Sequence, residues 1–125
     1  MVDGAPSCTP DEEPALRKDG SYPSGHSAIS WGWALILAEA APDRVDAILA
    51  RGRAFGQSRV ECNAHWLSDT EEGWLMASGV IARLHDNADF RADLAAARTE
   101  IEAARVKGLG PTRDCAREAA QLAAG

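Results

Sequence analysis

The chain has 125 residues, 46% hydrophobic and 26% charged, the composition of one ordinary globular domain with room for a single core. Its formal net charge of −6 argues against the basic surface a nucleic-acid binder needs, although a local group of cations can still hold an anion in one cleft. No segment reads as a membrane span. The most apolar run, Trp31 to Ala41, is short and broken by Glu39, and Met1-Val2-Asp3-Gly4 lacks the basic and apolar regions of a signal peptide.

In chain order, residues 1–19 are rich in Pro, Asp, Glu and Gly without hydrophobic period, which predicts an irregular N-terminal arm. Residues 20–106 form the expected helical core. A turn at Gly20 to Gly25 feeds a helix over about Ser24 to Ala40, stopped by Ala41-Pro42-Asp43. A second helix starts at Asp43 with Val45, Ile48, Leu49 and Phe55 on one side and an end near Gly56 to Arg59. A third covers His65 to Leu84, with Trp66, Met76, Val80 and Leu84 expected inside. A fourth covers Asn87 to Arg105 behind a thin stripe of Phe90, Leu94 and Ile101. Residues 107–125 complete the chain as a loop and a short helix over Thr112 to Ala123. No window alternates as a strand does, so the expected fold class is all-α. Cys8, Cys62 and Cys115 permit one disulfide in three pairings, and their spacing does not make a zinc site. No metal or cofactor is expected.

The chemistry concentrates in Ser58 to Asp69. His65 and Asp69 are four residues apart, so on a helix they share a face, and a carboxylate on one ring nitrogen leaves the other free to attack. Arg59 offers a planar fork of positive charge suited to phosphate. Pro23-Ser24-Gly25-His26 supplies the second half: a helix start that attracts an anion, a hydroxyl, a glycine permitting close approach, and a histidine placed to protonate a leaving oxygen. Each part has a plainer alternative. Ser24 can be only an N-cap, Arg59 a surface ion pair, and His65 a structural histidine held by Asp69. His85 has no useful neighbour except Asp86 and reads as surface. Trp31, Trp33 and Trp66 read as core or pocket lining, whereas Trp74, beside Glu71 and Glu72, is expected to be exposed.

Ser58-Arg59, five residues, His65, three residues and Asp69, preceded by Pro23-Ser24-Gly25-His26, resembles the signature of the type 2 phosphatidic acid phosphatase superfamily. Gly20-Ser21-Tyr22 and Phe55-Gly56-Gln57 narrow the likeness to the bacterial class A non-specific acid phosphatases, over about Cys8 to Arg105. The resemblance implies a helical bundle like the C-terminal half of that fold. It implies metal-independent hydrolysis of phosphate monoesters through a phosphohistidine at His65. Asp69 would orient His65 and His26 would protonate the leaving alcohol, with Ser24, Gly25 and Arg59 on the phosphoryl oxygens and Ser58 beside them. It also implies a periplasmic or secreted protein.

The first part of that signature, a lysine, six residues and Arg-Pro, is absent from this chain. Two missing charged contacts would cost roughly 3–6 kcal/mol of transition-state binding. Glu61 is an acid where the family pattern has an apolar residue, and Leu67 replaces a polar one. Apolar surface left by missing helices would call for a homodimer or a partner chain. The contrasting expectation is therefore an inactive truncated or engineered scaffold that binds a protein, with Trp74 and the helix carrying Glu71 as its contact surface. A vanadate-dependent haloperoxidase shares the motif set and is a third possibility.

Overall fold

A computed structural model describes residues 4–16, 18 and 20–123, all helix, turn or irregular among those residues, with no strand. A 3-10 turn at Pro10–Glu12 and one helical turn, α1 (Glu13–Leu16), give the arm more order than its composition suggested. Then come α2 (Gly25–Ala40), a 3-10 turn at Pro42–Arg44, α3 (Val45–Glu61), α4 (Leu67–Leu84), α5 (Ala88–Val106) and α6 (Cys115–Ala123). The expected all-α class is what the molecule adopts. No helix among the described residues is long and apolar enough to cross a membrane.

Local chemistry sets the helix ends. Ser24 caps α2, its hydroxyl oxygen accepting the Ser27 N–H at 3.2 Å. Pro42 opens the turn that follows α2, where a proline cannot continue the helix. Asn87 caps α5, its side-chain oxygen accepting the N–H groups of Asp89 and Phe90 at 2.8 and 3.1 Å. Asn63, at φ 54°, takes the left-handed conformation that asparagine tolerates and turns the chain between α3 and α4.

α2 is the central helix, packed against α3, α4 and α5. Small residues make that possible. A Cβ on Gly73 would lie 2.7 Å from the Ser24 carbonyl oxygen, and one on Gly52 would lie 2.5 Å from the Ala34 Cβ, so α4 and α3 each cross α2 at backbone distance. The buried apolar residues are mostly alanines, Ala34, Ala38, Ala40, Ala41 and Ala77, with Ile81.

This corrects the expected face of α4. Met76 and Val80 are exposed, and the helix instead turns Thr70, Gly73, Ala77 and Ile81 inward, a stripe at helical spacing. Trp66 is also exposed rather than core. Trp74 is corrected in the opposite sense: it is half-buried, its indole nitrogen is buried, and the ring lies where a Cβ on Gly56 would clash at 2.7 Å. The indole also pairs with Trp31 at 6.3 Å between centroids, and the Arg53 guanidinium lies 5.2 Å from it.

Polar contacts dock α5. Arg105 reaches Asp43 at 2.9 Å, Arg98 donates to the Glu39 carbonyl, and Phe90 meets the His85 ring edge-on at 5.3 Å. His85 is not a partnerless surface residue: one ring nitrogen is 2.9 Å from the Glu39 carboxylate and the other 2.7 Å from the Ile81 carbonyl. Both contacts favour the imidazolium and raise its pKa, led by the Glu39 hydrogen bond.

Candidate active site

The site forms where the start of α2 meets the loop entering α4. The Ser24 N–H donates to the Asp69 carbonyl at 2.8 Å, so the first turns of α2 and α4 are joined directly. Ser24, Ser27 and Thr70 are fully buried at this joint. The Ser24 hydroxyl therefore serves as a helix cap here, while Gly25 and His26, in the first turn of α2, are exposed.

His65 is not on α4, as a shared helical face would require. It lies just before Trp66, which adopts an extended conformation (φ −73°, ψ 158°) as the N-cap. Asp69, in the first turn, accepts the Trp66 N–H at 3.0 Å with one carboxylate oxygen. That oxygen also lies 3.7 Å from His65 Nδ1, an electrostatic contact longer than a hydrogen bond. The pair still meets, through a cap rather than along a helix.

His65 is held from behind by α3. The Arg59 carbonyl accepts the N–H groups of Ala64 and His65 at 2.9 and 3.2 Å. The Arg59 side chain folds over the Phe55 ring at 5.0 Å and donates to the Ser58 hydroxyl at 3.0 and 3.2 Å. Ser58 in turn donates to the Phe55 carbonyl at 2.7 Å. The cation and the histidine are thus carried on one hydrogen-bonded turn. Glu61, the acid of concern, is exposed at the end of α3.

The two histidines face each other. His26 Nδ1 lies 3.4 Å from His65 Nε2, with ring centroids 5.6 Å apart at an angle of 61°. With the His65 proton on Nδ1 toward Asp69, Nε2 carries the lone pair and His26 Nδ1 is the donor. His65 is only 8% exposed, and burial, followed by the charge of His26, holds its pKa below the ordinary histidine value against the opposing pull of Asp69. A neutral imidazole with a lone pair aimed at a second, solvent-facing imidazole can act as a nucleophile or a base in mildly acid solution.

One feature of the site had no usable sequence signal. Cys8 is joined to Cys62, the C-cap of α3, with the two Cα atoms 4.9 Å apart. The Asn63 side chain adds a 2.8 Å hydrogen bond to the Ala5 carbonyl. The arm is therefore bound to the turn between Arg59 and His65. Of three possible pairings, the spacing favoured none. Cys115 is free and exposed.

The profile of the PAP2 superfamily matches residues 3–92, most of the chain and every residue of the histidine site. The chain belongs to the PAP2 superfamily. This PAP2 chain is 54% identical over 106 residues to a protein of Zymomonas mobilis subsp. mobilis named acid phosphatase, a stretch covering 85% of the chain. It is 46% identical over 98 residues to a non-specific acid phosphatase of Providencia stuartii, covering 78% of the chain, and 47% identical over 95 residues to one of Salmonella typhi, covering 76%. The matches span 40%, 40% and 38% of the lengths of those relatives.

Proposed function

We propose that this chain carries the histidine pair of a phosphate monoester hydrolase, with His65 as nucleophile and His26 as acid. The observation that carries the reading is the 3.4 Å approach of His65 Nε2 to His26 Nδ1, with an Asp69 oxygen behind His65 Nδ1. The names of the relatives, acid phosphatase and non-specific acid phosphatase, agree with it.

In this mechanism a phosphoryl group enters between the two rings. His65 Nε2 attacks phosphorus, the bond from phosphorus to the alcohol oxygen breaks, and His26 gives its proton to that oxygen. Asp69 stabilises the positive charge that develops on His65. A water, deprotonated by His26, then attacks phosphorus, the N–P bond breaks, and inorganic phosphate leaves. The exposed first turn of α2, at Gly25 and His26, faces the anion with backbone N–H groups, and Ser24 fixes that turn. Arg59, oriented by the Ser58 hydroxyl that accepts from it, supplies further donors from the turn that holds His65. The work is positioning and charge stabilisation, with no metal required by the chemistry.

Two further observations support the reading. The lowered pKa of His65, caused first by burial, favours the neutral form that a nucleophile needs. The Cys8–Cys62 disulfide suits an oxidising compartment, consistent with a periplasmic or secreted setting. The scaffold alternative drew on the absent lysine and Arg-Pro, on Glu61 and on an exposed Trp74; of these, Trp74 is packed against Gly56.

The test is hydrolysis of 4-nitrophenyl phosphate between about pH 5 and 7, around the ordinary value of a free histidine, with orthovanadate and His65→Ala as controls. Vanadate-sensitive turnover that His65→Ala abolishes is expected. Equal rates in the parent and His65→Ala proteins would overturn the assignment.

A further inference from the structure

His85 closes α4, and its ring meets an acceptor at each nitrogen. The Ile81 carbonyl lies 2.7 Å from Nδ1 and the Glu39 carboxylate 2.9 Å from Nε2. A neutral imidazole carries one N–H and can satisfy only one of them, so this geometry is that of an imidazolium donating twice. Its place suits the charge. Ile81 belongs to the last turn of α4, where carbonyls left without helical partners favour a cation. Glu39 belongs to the last turn of α2, so the same ring ties the C-terminal ends of α2 and α4 together.

α5 is seated on this joint without fully burying any residue of its own. Phe90 meets the His85 ring edge-on, Arg91 donates to the His85 carbonyl, Arg98 donates to the Glu39 carbonyl, and Arg105 pairs with Asp43 just beyond the end of α2. All but the last go to His85 or Glu39 themselves. We propose that His85 is a pH-operated latch for α5: as an imidazolium it holds the ends of α2 and α4 in the arrangement on which α5 packs, and its deprotonation lets the first half of α5 lift from the bundle. When the proton leaves Nε2, that nitrogen turns a lone pair toward the Glu39 carboxylate, and the contact changes from attraction to repulsion. The ring and Glu39 then part, and Phe90 loses its seat. Of the charged groups around the ring, Glu39 from α2 favours the imidazolium, Arg91 from α5 opposes it, and Arg83 and Asp86 pair with each other. The Glu39 hydrogen bond leads and raises the pKa, so the latch is closed below the ordinary histidine value and opens as pH rises through the higher folded value. The ion pair of Arg105 with Asp43, which no histidine controls, keeps the far end of α5 attached.

The experiment measures amide hydrogen exchange of the full chain by NMR between about pH 5.5 and 8.5, on either side of the ordinary histidine value, with rates corrected for intrinsic exchange. Protection over residues 88–97 should fall about ten-fold for each unit by which the docked His85 value exceeds that of the open form. Protection in the middle of α2 should stay level over the same range. Nitrogen shifts of the His85 ring should show both nitrogens protonated at the acid end and titrate with the same midpoint as the exchange. Glu39→Gln keeps an oxygen for Nε2 but removes the charge, so it should move that midpoint down and shrink the fall. Circular dichroism checks that the variant folds, and the measurements on the parent protein stand without it. Protection over residues 88–97 that is independent of pH would overturn the latch. A fall spread evenly over α2, α4 and α5 would also overturn it, since that pattern belongs to global unfolding. A midpoint that differs from the His85 titration, or that Glu39→Gln leaves in place, would assign the release to another group.

Discussion

Ser24 donates its backbone N–H to the Asp69 carbonyl at 2.8 Å, and this single bond joins the two sequence motifs that the site is built from. Asp69 is thereby held through both its backbone and its side chain. Its carbonyl holds the start of α2, one carboxylate oxygen accepts the Trp66 N–H at 3.0 Å, and the same oxygen lies 3.7 Å from His65 Nδ1. The acid expected to orient a nucleophile is also the first-turn residue that fixes where α4 begins.

That double role separates two substitutions. Asp69→Asn retains an oxygen for the Trp66 N–H but loses the charge behind His65, so stability should change little while turnover falls roughly 10²–10⁴-fold. Asp69→Ala should lose the same activity and about 1 kcal/mol of stability through the missing cap. Urea unfolding alongside kcat for both variants checks the separation.

Glycines on α4 should respond in opposite directions. Gly73→Ala places a methyl 2.7 Å from the Ser24 carbonyl oxygen, forcing α4 away from α2, and should destabilise by about 1–3 kcal/mol. Gly79 has nothing within 4 Å of an added Cβ, so Gly79→Ala should stabilise by up to about 1 kcal/mol through helix propensity. Chemical denaturation of the two variants reads both signs.

Opening the Cys8–Cys62 bridge should cost about 2–4 kcal/mol of stability. The effect should reach activity as well, because Cys62 ends the helix whose Arg59 carbonyl holds His65. The Cys8→Ser, Cys62→Ser double variant should melt lower and turn over more slowly than the parent protein. Cys115→Ser, at the exposed thiol, should alter neither.

The two perturbed histidines predict opposite pH behaviour. His85 has a folded pKa raised chiefly by Glu39, so its stabilisation is complete below the unfolded value of about 6.5 and is lost as pH rises through the higher folded value. Glu39→Gln should remove most of that dependence from a melting-temperature series. His65 has a folded pKa lowered by burial, so its protonation opposes folding as pH falls from about 6.5 through the folded value. The acid limb of kcat/KM should therefore lie below the ordinary histidine range. Asp69→Asn should move it lower still, because Asp69 raises the His65 value.

Helix existence and the motif residues were legible because periodicity and spacing are local. What was hidden depended on partners distant in sequence. Glu39 lies 46 residues from His85, so no offset could reveal their pairing. Side-chain size points to the wrong inward face of α4. Gly73 and Ala77 are buried because smallness lets the backbones approach, while Met76 and Val80 are left outside. The sequence points to a start of α4 at His65, whereas the cap is Trp66, an unusual N-cap residue, and Asp69 in the first turn carries half of the capping signal.

The 3.4 Å contact between His26 and His65 has a consequence for affinity. On the proposed mechanism, a phosphorus atom attacked by Nε2 needs space that the His26 ring borders at 3.4 Å, so the rings must part to admit it. Measured affinity is then the intrinsic affinity scaled by the fraction of molecules whose rings are already parted. A smaller side chain in place of His26 would raise that fraction. His26→Ala should therefore bind orthovanadate more tightly than the parent protein even as it loses the proton donor, so that affinity and turnover move in opposite directions.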